Sequence, residues 1–94
     1  MPPAYQTFVT QGFKRDVRRI TRRNPSLASI VGEMISTLEE DPHNTTGRHN
    51  IKKLTSVKAG DGQWRIRSGD YRLRYDLHGN DIILFSFRHR REAY

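Results

Sequence analysis

The stretch QWRIRSGDYRLRY, residues 63–75, decides the fold. Trp64 and Ile66 alternate with Arg65 and Arg67. After Ser68-Gly69-Asp70 the alternation resumes, with Tyr71, Leu73 and Tyr75 set against Arg72 and Arg74. A period of two sends successive side chains to opposite faces of a sheet. Glycine in the connector supplies the positive φ that a tight hairpin turn needs. The two runs therefore predict an antiparallel hairpin with one apolar, aromatic face and one face of guanidinium groups. Pairing sets Arg65 and Arg67 beside Arg72 and Arg74, where like charges repel. A sequence that keeps this repulsion presents the face to something anionic.

Upstream of the hairpin, residues 43–62 are polar, with Ile51, Leu54 and Val57 as the only apolar anchors, and read as a long functional loop. Before that loop, Leu27, Ile30, Val31, Met34, Ile35 and Leu38 recur with a helical period, predicting a helix over 25–40. Asn24-Pro25 opens it and Asp41-Pro42 ends it. A first helix over 11–22, capped by Thr10, turns Phe13, Val17 and Ile20 inward and Lys14, Arg15, Arg18, Arg19, Arg22 and Arg23 outward. Residues 5–9 read as a first strand. So short a connection predicts a helical hairpin, whose apolar stripes cover the apolar face of the sheet.

Downstream, residues 78–81 form a turn and 81–88 a last strand. There Ile83, Phe85 and Phe87 alternate with Ile82, Leu84, Ser86 and Arg88. That phase carries Arg88 and Arg90 to the basic face and His89 to the apolar one. By the same phase Tyr71 and Tyr75 are core, and Asp70 is a turn residue. The order is β-α-α-β-β-β. It predicts one α+β domain over residues 1–94, a small antiparallel sheet with an N-terminal helical hairpin on one face.

Charge points to the partner. Seventeen Lys and Arg against ten Asp and Glu give a net charge of +7, and the pI is about 10.4. Such a balance favours a polyanion. No run is apolar for long enough to span a bilayer, so no membrane partner is expected. The absence of a secretory pattern makes the cytoplasm the expected compartment. There is no cysteine, which excludes disulfides and thiolate metal sites. His43, His49 and His78 show no metal-ligand spacing, so neither metal nor cofactor is expected.

Three pieces resemble the RelE/ParE toxin superfamily of bacterial and archaeal toxin–antitoxin systems: IKKL at 51–54, WRIRSGDYRLRY at 64–75 and HRREAY at 89–94. The element order fits as well. The resemblance implies a microbial-RNase-like fold. RelE-type members are metal-independent endoribonucleases that cut mRNA in the ribosomal 30S A site. ParE-type members share the fold and poison DNA gyrase. Both are neutralised by a cognate antitoxin, so a hetero-oligomer with that antitoxin is expected. By position, the RelE-type site residues correspond to Arg65, Arg67, Arg72, Arg90 and Tyr94. Two departures stand out: the first two positions are lysines in the best-known members, and the hairpin connector is shorter here.

Chemistry independent of the resemblance sorts the roles. Metal-free RNA cleavage needs a base for the 2′-OH, cations for the dianionic phosphorane and an acid for the 5′-oxygen. Arginine serves the second need with a planar fork that stays charged, and cannot serve the first. Proton transfer is left to His89 or Tyr94. Arg74, Arg88, Arg15, Arg18 and Arg19 are the expected additional RNA contacts. The expected function is a toxin that cuts ribosome-bound mRNA and inhibits translation. The alternatives are a gyrase inhibitor without nuclease chemistry and an inert basic RNA-binding module.

Overall fold

The structure, a computed structural model, describes residues 4–92. Its elements are β1 (Gln6–Val9), α1 (Gln11–Arg23), α2 (Leu27–Glu40), β2 (Ile51–Lys53), β3 (Trp64–Ser68), β4 (Tyr71–His78) and β5 (Asp81–His89). The sheet order is β1-β5-β4-β3-β2. The expected β-α-α-β-β-β order thus gains one strand. β2 lies within the stretch read as a loop and pairs antiparallel with β3, Ile51 opposite Ile66. At three residues it is too short to show an alternation in sequence. The sheet is mixed rather than wholly antiparallel, because β1 runs parallel to β5. The intervening helical pair provides the crossover that parallel strands require.

The β3–β4 hairpin has the expected register, with Trp64 opposite Tyr75, Ile66 opposite Leu73 and Ser68 opposite Tyr71. Its loop is two residues. Gly69 sits at the first central position with φ +57°, which only glycine adopts readily there. Ile66, Leu73 and Tyr75 are buried against Phe13 and Ile20 of α1 and Leu27, Val31, Met34 and Leu38 of α2. The helices therefore cover one sheet face, as the two stripes required. Thr10 caps α1 by accepting the Phe13 N–H at 3.1 Å, and its hydroxyl donates to the Leu84 carbonyl at 2.9 Å. One hydroxyl thus starts the helix and ties it to β5.

One strand departs from simple alternation. Arg74 pairs with Ser86 but Tyr75 pairs with Leu84, so Phe85 is an extra residue in β5, a β-bulge. Below the bulge Ile82 and Leu84 face the core and are fully buried. Above it Phe87 takes over that role, also fully buried. The single phase expected for Ile83, Phe85 and Phe87 is therefore broken. Ile83 and Phe85 lie on the outer face with Ser86 and Arg88, while Ile82 and Leu84 join Phe87 inside. Uninterrupted alternation would have turned two large aliphatic side chains outward. The bulge keeps Ile82, Leu84 and Phe87 all in the core.

The long connection before β3 is held by side-chain carboxylates. Asp76 accepts the backbone N–H groups of Gly60, Gly62 and Gln63 at 2.9, 2.9 and 3.0 Å. Gly62 has φ +73°, and a Cβ there would lie 2.8 Å from Phe85 Cδ1. The loop can approach the bulge this closely only because position 62 lacks a side chain. Asp41, at the end of α2, accepts the N–H and hydroxyl of both Thr45 and Thr46. Burial raises its proton affinity, and these four hydrogen bonds outweigh that, holding the carboxyl well below the usual carboxylate range.

Candidate nucleic-acid interface

The hairpin register fixes the basic face. Arg65 stands opposite Arg74, and Arg67 opposite Arg72. β5 extends the second row, because Arg72 pairs with Arg88. Arg67, Arg72 and Arg88 thus run across three adjacent strands, with Arg65 and Arg74 in the row beside them. Both rows lie on the face away from the helices. β2 adds Lys52 next to Arg65.

Their guanidinium groups are not equivalent. Arg74 is committed to the loop: Nε donates to the Gly62 carbonyl at 2.9 Å and Nη2 to that of Asp61 at 2.7 Å. Its group also lies 5.7 Å from the Phe85 ring centroid, in cation–π range. Arg72 Nη1 donates to the carbonyls of Gly69 and Tyr71 at 3.0 and 3.3 Å, leaving its buried Nε without a partner among the described residues. Arg88 Nε lies 3.6 Å from Asp16 Oδ2. Arg67 is exposed, with no side-chain partner among the described residues. Arg65 is half-buried beside Arg74.

Arg90 follows the end of β5. Its N–H donates to the Asp70 carbonyl at 2.7 Å, and its Nε lies 3.6 Å from Asp70 Oδ1. The turn residue Asp70 thus fixes the chain leaving β5. Tyr94, expected beside Arg90, lies outside the described residues.

His89 is on the helical side of the sheet, as its phase with Phe87 predicted. It pairs with Tyr71 across the strands, whose ring it meets edge-on at 5.3 Å. Its Nδ1 accepts the Arg91 N–H at 3.2 Å, so the ring proton of the neutral imidazole sits on Nε2, facing Asp70 Oδ2 at 4.0 Å. The ladder is thus on the other face of the sheet from this imidazole.

Arg15, Arg18 and Arg19 stand on α1, in the helical layer. With Arg22 and Arg23 they line one open concavity. Arg19 Nη2 bonds Glu92 Oε2 at 2.8 Å. That bond lowers the Glu92 carboxyl below its ordinary range and raises Arg19 above its own. These arginines form a second basic surface rather than an extension of the ladder.

Asp16 went unremarked in the sequence, although its position was legible. It falls between Phe13 and Ile20 on the inward stripe of α1 and is 5% exposed. β1 is paired with β5 only as far as Leu84. Beyond that point Asp16 Oδ2 accepts the Phe87 N–H at 3.1 Å, satisfying an edge donor that no strand reaches. An acidic residue in an apolar stripe was the signal. Among the described residues no group of three His, Asp or Glu is placed to hold a metal ion, and no helix is long and apolar enough to cross a membrane.

The sequence of residues 8–94 matches the family described as the ParE toxin of the type II toxin–antitoxin system parDE. The chain belongs to this family. The toxin's fold is also that of two solved structures. A chain of the RelB–RelE antitoxin–toxin complex from Methanococcus jannaschii aligns with TM-score 0.68 and 20% identity, covering 93% of this chain and 94% of that one. A chain of the toxin–antitoxin complex RelBE2 from Mycobacterium tuberculosis aligns with TM-score 0.67 and 23% identity, covering 90% and 96%. No curated protein matches. The toxin thus falls in the RelE/ParE superfamily, as its hairpin and terminal motifs suggested.

Proposed function

We propose that this toxin is a metal-independent endoribonuclease that cuts mRNA on the ribosome, with the arginine ladder as its phosphate site. One observation carries the reading: Arg67, Arg72 and Arg88 are in register across three adjacent strands on the sheet face away from the helices. Arginine forks bind phosphate oxygens in pairs and stay charged as the phosphorane forms. Arg65 flanks the row. Arg74, held by the loop, sets the electrostatic background. Arg90 closes the row at the hairpin turn. The α1 arginines Arg15, Arg18 and Arg19 meet a second stretch of ribosomal RNA from the helical layer. A cognate antitoxin is the neutralising partner in a hetero-oligomer, in keeping with the toxin–antitoxin complexes that share the fold, and the site of action is the cytoplasm.

Proton transfer falls to Tyr94 rather than His89, because His89 is turned to the opposite side of the sheet. The test is single-turnover cleavage of mRNA on programmed ribosomes. Tyr94→Phe is expected to lose about 10²-fold or more, the usual contribution of a positioned acid or base. Arg72→Ala is expected to lose about 10²–10³-fold. Cleavage within threefold of the parent in both variants would remove the proposed site.

A second reading is gyrase inhibition without nuclease chemistry. It is favoured by the place of His89 on the other side of the sheet from the ladder, and by the name of the matching family. A protein that leaves ribosome-bound mRNA intact but blocks DNA supercoiling by gyrase would establish it.

A further inference from the structure

The helical side of the sheet carries a concavity of about 310 Å³ between the end of α1 and the chain leaving β5. Its lining includes Arg19 and Arg23 from α1, Tyr71 from β4, and His89, Arg91 and Glu92. We infer that this pocket binds a nucleotide, with its base against the Tyr71–His89 wall and its phosphate among Arg19, Arg23 and Arg91. The site is separate from the ladder and does not depend on RNA cleavage.

Three observations converge on that ligand. The first is charge. Three arginines face one carboxylate, Glu92, and the partial negative charge of about −0.5 at a helix C-terminus. The balance is about +1.5 in favour of an anion. The side chains of Arg23 and Arg91 have no hydrogen bond or ion pair with the described residues, so their forks are available. The second is that the pocket already holds an anionic group, since Glu92 Oε2 sits 2.8 Å from Arg19 Nη2. Glu92 acts as an internal stand-in that a phosphate would displace. The third is the aromatic wall. Tyr71 is backed by Phe87, stacked at 5.5 Å with an interplanar angle of 15°, and His89 is fixed by its bond from Arg91 N–H. A ring wall with a locked orientation suits base stacking. The volume matches the lower end of small-ligand pockets, about 300 Å³.

The chemistry is shared by a free nucleotide and the phosphorylated end of an RNA strand, and titration distinguishes them. AMP, a 5′-phosphorylated RNA tetramer, inorganic phosphate, adenosine and a glutamate-rich peptide are each titrated into the full chain, read by calorimetry and by the His89 ring resonances. AMP or the tetramer is expected to shift the His89 signals at lower concentration than phosphate or adenosine; whichever does so at the lower concentration identifies the source. Arg23→Glu with Arg91→Glu is expected to weaken binding at least about tenfold, the sum of two reversed contacts. Glu92→Gln is expected to tighten it about two- to fivefold by releasing Arg19. Arg72→Ala, on the other face, is expected to leave the His89 shifts that AMP induces unchanged. Equal affinity for phosphate alone, binding of the peptide but not of AMP, or loss with Arg72→Ala and not with the Arg23/Arg91 pair would each overturn the assignment. The His89 shifts in the parent protein decide the matter even if a variant folds poorly.

Discussion

Asp41 shows how one side chain links a helix end to the loop that follows it. It closes α2, and its carboxylate gathers four donors from Thr45 and Thr46. Beside it the Tyr75 hydroxyl donates to the Pro42 carbonyl at 2.7 Å. Burial, and then the Asp41 charge, push the Tyr75 phenol well above its ordinary range, so it stays neutral. Linkage gives the pH dependence. A carboxyl held below its unfolded value of about 3.9 stabilises the fold fully above that pH. The contribution fades as pH falls below about 4 toward the depressed folded value. Asp41→Asn is expected to lower stability at neutral pH and to flatten this acid limb. Urea unfolding at pH 7 and across pH 2–5 measures both. An unchanged acid limb in the variant would show that Asp41 does not carry it.

At the scale of elements, the edge of β5 is closed by three different devices. β1 pairs with its first residues, Thr10 reaches the Leu84 and Phe85 carbonyls, and Asp16 takes the Phe87 N–H. Removing Asp16 leaves a buried donor unpaired, which costs about 1–3 kcal/mol. Asp16→Ala is therefore expected to destabilise the protein by that amount. Asp16→Asn keeps an acceptor oxygen and is expected to lose less. Denaturant melts of the two variants check the order, and equal losses would mean that the Arg88 charge, not the edge donor, is what Asp16 serves. Helices, hairpin and turns were legible because each is written in local periodicity or turn chemistry. β2 was not, since a three-residue strand is defined by its partner. The Phe85 bulge was not legible either. Ile83, Phe85 and Phe87 are all apolar, and a run apolar on both faces gives no alternation from which to read a phase change.

For the whole molecule, charge is divided between two layers. The ladder lies on the open sheet face and the α1 arginines lie on the helical layer, so the net charge of +7 does not mark one interface. Binding of single-stranded RNA to the ladder should follow counterion release, with log K falling by about 0.7 per decade of salt for each neutralised phosphate. Neutralising three to five phosphates predicts a slope of about −2 to −3.5. Arg67→Ala is expected to reduce the steepness by about 0.7. Affinity that stays flat from low to moderate salt would refute the ladder as a phosphate surface.

The sequence by itself determined which side chains share a face within each regular element. The arginines of the hairpin, the inward stripes of both helices and the placement of His89 with Phe87 all follow from the fixed periods of strand and helix. Tertiary structure alone decided which of those groups keep their charge available. Arg74 is spent on two loop carbonyls because Gly62 lets the chain approach the bulge, and Arg88 is drawn toward a carboxylate from α1. Those partners lie twelve or more residues away, and no local period encodes them. They are set by how the loop and the first helix close around β5, where the need to bury Ile82, Leu84 and Phe87 together outweighed a continuous alternation.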